Sequence, residues 1–357
     1  MKQQVKQATS APAPPDVTPA AVDPGNRRRR LAALAGYGIA FLLWWRLIGL
    51  PADIISITMW LWLGTICWRI GRPARDHLAF LRDWLPIVVL LSVYDISRGW
   101  ADNGKLPHVT ELIGADRWLF RGEVPTVWLQ RHFYDPAAVH WWDAVVSWVY
   151  ASHFILAPII AVVLWLRSRR EWARFLRRWM ALSAAGLTTY FLYPAAPPWW
   201  ASQVGLVDHV ERISSRGWRA IGLHNAGHLL SQAQNLSNPI AAVPSLHSAF
   251  ALFCVAFFAS RVRRRWWPLL AAYPVTMGLA LVYSGEHWVI DVLLGWAYVA
   301  VTFGVVTVAE RAWAAWRSAG PGGGPTPEGG ADSCGDAAGD PGVDVQHRRE
   351  PLASTGA

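Results

Sequence analysis

His287 and Asp291, in the stretch SGEHWVIDVLLG, are four residues apart. On a helix that spacing puts both side chains on one face, about one turn (~5.4 Å) apart along the axis. A carboxylate so placed can accept the proton of one imidazole nitrogen and fix the tautomer, which leaves the other nitrogen free as base or nucleophile. The same spacing equally serves a buried polar pair that only ties two helices together. A second stretch, PSLHSAFALF, starts a helix at Pro244 and Ser245 and places His247 in its first turn. A helix N-terminus presents unpaired N–H groups and a partial positive charge, so this end, Ser245 included, is a ready site for a phosphate. His247 there could pass a proton to or from a phosphate ester oxygen, or could simply cap an interfacial helix.

The elements that must position these residues belong to a membrane. Of 357 residues, 53% are hydrophobic and only 16% charged, against roughly 25% charged in a globular domain. The net charge of +9 comes from 33 basic residues, 30 of them Arg, in short clusters between long apolar runs. That pattern reads as membrane topology rather than nucleic-acid binding. Residues 1–30 and 310–357 read as disordered cytoplasmic tails, rich in Pro, Ala, Gln or Gly. Cys67, Cys254 and Cys334 match no metal or disulfide spacing.

Between the tails, eight apolar stretches approach the roughly 20 residues that cross a bilayer: 31–50, 52–69, 84–100, 143–166, 176–193, 244–260, 266–284 and 287–309. The four-Arg run at Arg27 to Arg30 holds the first N-terminus in the cytoplasm. The loops assigned inside then carry Arg69, Arg72, Arg75 and Arg82, the cluster Arg167 to Arg178, and the cluster Arg261 to Arg265, while the outer loops 101–142 and 194–243 are poorer in basic residues. Both termini fall inside. His247 and His287 fall at the same outer face, since both helices run from outside to inside. Trp84, Trp100, Trp141, Trp142, Trp266 and Trp267 sit near helix ends, where amphipathic rings favour the interface. The fold class is all-α, a multi-pass bundle of about eight transmembrane helices.

A helix opening with Pro-Ser-x-His, followed about forty residues later by a His and an Asp four apart at another helix start, resembles the type 2 phosphatidic acid phosphatase superfamily. The likeness covers roughly 84–309, with two additional helices before it at 31–83. YPAAPPWW ahead of PSLH looks like the inositolphosphotransferase branch, which includes inositol phosphorylceramide synthases. The resemblance implies a six-helix core, an extracytoplasmic site, no metal or other cofactor, and a phosphohistidine intermediate. By that match His287 is the nucleophile, Asp291 its orienting carboxylate, and His247 the acid and base.

The chain departs from the commoner phosphatases in its cations. Their Lys and Arg-Pro motif has no counterpart in TTYFLYPAAPPWW, and Leu281 stands where they place an Arg six residues before the nucleophile. A phosphoryl group developing charge in a low-dielectric site still needs such a donor. Arg98, in YDISRGW, is the first candidate for it: Tyr94, Asp95 and Arg98 share one helical face at the outer end of the third span. A structural Asp95–Arg98 pair is the alternative, and Arg121, Arg131 and Arg216 are weaker candidates. His153, inside the fourth span, either bonds across the bundle or lines the site. His224 and His228 read as a solvated loop rather than a metal site, and Pro197 to Trp200 as a rigid turn.

The expected function is a plasma-membrane enzyme acting on a lipid-linked phosphate at the outer face, with the lipid phosphate as its partner and no nucleic acid. Water as the acceptor makes it a lipid phosphate or polyprenyl diphosphate phosphatase. An alcohol makes it a transferase, which the branch likeness favours. A transporter or inactive scaffold is the alternative class, but no internal repeat is found and the polar groups cluster at one face instead of tracing a path across.

Overall fold

The computed structural model describes residues 24–48, 51, 53–101, 106–220 and 241–319, except the side chains of 24, 25, 94–101 and 319. Every expected apolar stretch is a helix. In chain order the helices are α1 (Pro24–Leu47), α2 (Ile54–Trp68), α3 (Ala74–Ala101), α4 (Thr110–Leu119), α5 (Pro125–Phe133), α6 (Trp141–Arg167), α7 (Arg169–Leu192), α8 (Pro198–Gln203), α9 (Leu246–Ala259), α10 (Trp267–Tyr283) and α11 (Val289–Ala319). No strand occurs among the described residues. The short helices α4, α5 and α8 lie in segments that the sequence pattern leaves as loops. One compact unit ends at Glu310. In the second, the Arg317 guanidinium lies 4.5 Å from the Trp313 ring centre.

By length and composition three helices among the described residues can cross a membrane, Trp141–Arg167, Arg264–Tyr283 and Val289–Ser318; Ile54–Trp68 and Leu246–Ala259 are shorter apolar helices. Local chemistry sets their ends. Asp53 caps α2 by accepting the Ser56 amide at 2.8 Å. The Asp143 carboxylate reaches back to the His140 amide at 3.0 Å to start α6. Ser168 ends α6 and caps α7 through the Glu171 amide.

The interior is aromatic. Phe80, Trp84, Trp165, Phe175, Trp179, Phe253 and Phe257 form its centre, drawn from α3, α6, α7 and α9. In lipid, apolar contact gives helices little net drive to associate, and close approach at small residues matters more. Ala157, Ala161 and Ala249 are accordingly buried at the crossings, and Gly186 admits Leu246 so closely that a Cβ would come within 2.6 Å of it. Large apolar residues face outward instead: Val301, Val305 and Val308 are over 60% exposed along one stripe of α11.

Toward its far end, α11 is tied to α7 by charge. Arg178 donates to Glu310 Oε2 at 2.8 Å and to Thr307 at 3.2 Å, and Arg177 adds a second guanidinium to Glu310. Over its first turn a separate apolar layer gathers α4, α5, α8 and the segment 194–196 around the fully buried Trp288.

Candidate active site

The start of α11 is fixed by a carboxylate from another element. Asp116, on α4 and fully buried, accepts the Val289 amide on Oδ2 and the Ile290 amide on Oδ1, both at 3.0 Å. The first N–H groups of a helix have no partner inside it, so Asp116 caps α11 in place of a local residue, and its charge suits the helix dipole. Burial pushes this carboxyl above the usual range, and the two amide bonds offset only part of that rise. Asp291, one turn in, accepts the Trp288 amide at 3.0 Å, and the Trp288 indole donates to the Ala196 carbonyl at 2.8 Å. His287 is thereby held just ahead of the helix.

α9 opens beside it. Ser245 accepts the Ser248 amide on its hydroxyl at 3.3 Å, and its own amide donates to the Asp291 carbonyl at 3.1 Å. That bond joins the starts of α9 and α11 directly. Gly295 permits the approach, because a Cβ there would fall 2.5 Å from the Ser245 carbonyl oxygen and 2.6 Å from the Ser248 hydroxyl. The fully buried Ser245 hydroxyl thus serves as the acceptor that caps α9.

The two helix starts bring His287 Nε2 within 3.3 Å of His247 Nδ1. His287 Nδ1 lies 3.5 Å from Asp291 Oδ2. His287 Nδ1 makes no formed hydrogen bond, so this contact is a close approach of ring nitrogen and carboxylate. With Nδ1 turned to the carboxylate, Nε2 is the nitrogen left for attack, and it faces the second imidazole. α6 supplies the adjoining wall. Tyr150 stacks on His247 with ring centres 5.0 Å apart, and His153 lies 4.2 Å from the same ring, its Nδ1 buried without a partner.

Five residues expected from the sequence, His247, His287, Asp291, Ser245 and His153, therefore meet in one place. The side chains of Tyr94, Asp95 and Arg98 lie outside the described residues, as do His224 and His228. The weaker cation candidates point elsewhere. Arg121 is exposed, Arg131 pairs with the exposed Asp208 at 2.9 Å, and Arg216 donates to the Asp135 and Ala138 carbonyls. Pro197 to Trp200 does form a turn, with α8 starting at Pro198 and the Trp199 amide donating to the Gly285 carbonyl at 3.1 Å.

Sequence reasoning passed over Arg212. Its Nε and Nη2 grip Glu286, the neighbour of His287, at 2.9 and 3.0 Å, while Ser214 donates to the same carboxylate at 2.5 Å. The Tyr150 hydroxyl is a further hydrogen-bond partner of Arg212. Burial lowers this guanidinium's pKa, but Glu286 and Tyr150 outweigh it and the net shift is upward, so the charge is permanent. Gln130 clamps the segment before it, with Nε2 donating to the Glu211 and Tyr283 carbonyls and Oε1 accepting the Glu211 amide, all at 2.8 Å. One signal for Arg212 existed: an acid beside His287 at the start of an apolar helix requires a counter-ion, and 194–243 offers only three cations.

Two apposed imidazoles, one beside a carboxylate at a capped helix start, are groups able to attack an electrophile and to pass a proton. Residues 110–305, more than half of the chain, match the model of the PAP2 superfamily, and the protein belongs to that superfamily. Over 174 residues it is 31% identical to a protein of Bacteroides thetaiotaomicron named phosphoinositol dihydroceramide synthase, an overlap covering 44% of this chain and 54% of that one. The chain thus spans about half the length of that curated relative. No solved structure matches it.

Proposed function

We propose that the protein is a membrane lipid phosphotransferase that moves an inositol phosphate-type head group between lipid hydroxyls through a phosphohistidine. The observation that carries this is the convergence of His287, His247 and Asp291 from two helix starts, with Nε2 of His287 facing His247. His287 Nε2 attacks phosphorus, the P–N bond forms, and the P–O bond to the donor lipid breaks as His247 protonates the leaving oxygen. Asp291 stabilises the charge left on the ring. His247 then takes the proton of the acceptor hydroxyl, whose oxygen attacks phosphorus and releases His287. General acid–base help of this kind is worth about 10² to 10⁴ in rate. The family match and the synthase name of the relative support transfer. The same residues would run a phosphatase if water took the acceptor's place.

The reading includes eight spans, α1 to α3, α6, α7 and α9 to α11, the last six of them from residue 84 to 309 forming the core. Loops 101–142 and 194–243 face outside, both termini lie in the cytoplasm, and the site opens at the outer face of the plasma membrane. The alternation of Arg-rich and Arg-poor loops supports this orientation.

The test is an assay of purified protein in vesicles with phosphatidylinositol, with and without a hydroxyl-bearing lipid acceptor. Formation of a new phosphodiester only with the acceptor is expected, and it is lost in His287→Ala. Release of inositol phosphate regardless of acceptor would replace transfer by hydrolysis. Full turnover by His287→Ala would remove the mechanism.

A further inference from the structure

A phosphoryl group transferred to a neutral imidazole spreads charge over its equatorial oxygens, and a dry site must meet that charge with fixed donors. His247 cannot be that fixed charge, because it has to give up and regain a proton. Among the described residues of the segments flanking the histidines, Arg117, Arg121, Arg131 and Arg219 are exposed. Arg216 is half-buried but directs its fork to loop carbonyls and to the Tyr134 ring. Arg212 is different. Its side chain is 21% exposed, it grips the residue next to His287, and it shares Tyr150 with His247.

We infer that Arg212 is the phosphate-binding cation of this site, taking the place of the cations missing from the family's usual positions. The inference rests on the phosphotransfer reading above. Three contacts prepare the guanidinium. Glu286 holds Nε and Nη2 in a bidentate grip, Ser214 holds Glu286, and Trp199 covers the guanidinium with its ring centre 5.1 Å away. An arginine held in this way keeps its orientation when substrate arrives, and its planar fork suits two phosphate oxygens better than an ammonium would. Glu286 thus aims the cation.

A purely structural Arg212 would serve only to neutralise Glu286, and the double variant Arg212→Gln with Glu286→Gln separates the roles. Turnover and inhibition by vanadate, a mimic of the transferring phosphoryl group, are measured in vesicles for wild type, Arg212→Gln, Arg212→Lys and the double variant, with thermal unfolding as the control for folding. Losing one such donor costs about 10² to 10³ in rate. The expected result is a loss of that size in Arg212→Gln, little recovery in Arg212→Lys, and no recovery in the double variant even where its unfolding midpoint returns to normal. Vanadate should inhibit wild type and lose at least tenfold in potency against every Arg212 variant. Recovery of turnover in the double variant to within about threefold of wild type, or unchanged vanadate potency against Arg212→Gln, overturns the assignment and leaves the phosphotransfer reading standing. Failure of vanadate to inhibit active wild type overturns both.

Discussion

Asp116 should matter more to activity than its distance in sequence implies. It lies 173 residues before the first amide it caps, and its two oxygens are the partners of the first two N–H groups of α11. Asp116→Ala leaves both amides unpaired in a buried layer. Each buried donor left unsatisfied costs about 1 to 3 kcal/mol, so with two amides a loss of about 2 to 6 kcal/mol is expected if the helix stays formed. The cheaper response is for the first turn to fray. Fraying displaces Asp291 and the His287 segment ahead of it, and a misplacement of about 1 Å at a reacting group can cost around 10² in rate. Asp116→Asn keeps one acceptor and points a donor at the other amide, and should lie between wild type and Ala. The assay pairs turnover with hydrogen exchange at residues 289–292. Asp116→Ala should lose about 10²-fold in turnover and expose those amides, with the rest of the bundle protected as in wild type. Normal protection together with normal turnover would show that α11 does not depend on this cap.

Gly295→Val should separate α9 from α11, because even a Cβ would sit 2.5 Å from the Ser245 carbonyl oxygen; low abundance or lost activity is expected, and wild-type behaviour would refute the contact. Asp291→Asn should keep near-normal abundance and slow transfer by around 10² or more, whereas unchanged turnover would remove its role in stabilising the imidazolium. In a chain freed of its native cysteines, Val204→Cys, half-exposed in the segment 194–243, should react with an impermeant reagent on intact cells if that segment faces outside, and Arg170→Cys should not. The reverse pattern would invert the orientation.

What the sequence made legible was what local periodicity and spacing encode. The eight apolar stretches all became helices, and His287 does approach Asp291 as the four-residue spacing suggests, although it sits just ahead of α11 and not on its face. The meeting of His247 with His287 followed from topology, since two helices running the same way must begin at the same side. Contacts between distant segments were hidden. Asp116 looks like one acid in a short polar helix, and only the fold brings it under α11. Arg212 looks like one of several loop arginines, and its 74-residue separation from Glu286 carries no periodic signature. Ser245 was legible as the residue that opens α9, and its hydroxyl accepts the Ser248 amide there as the helix cap.

The charge around the histidines bears on which phosphate the site accepts. Among the described residues, three carboxylates, Asp116, Asp291 and Glu286, stand against one guanidinium, Arg212, at the starts of α9 and α11. The capped amides of α11 offset part of the Asp116 charge, yet the balance stays negative. A phosphodiester brings one negative charge and a lipid monoester close to two above its second pKa of about 6, so the site should tolerate the diester better. The ratio of monoester to diester turnover isolates this effect, because any change in His247 acts on both substrates. That ratio should fall as pH rises from 5.5 to 7.5 and the monoester becomes a dianion. A ratio that is flat or rises over this range would mean that further cations reach the phosphate, and the electrostatic case for a diester substrate would be lost.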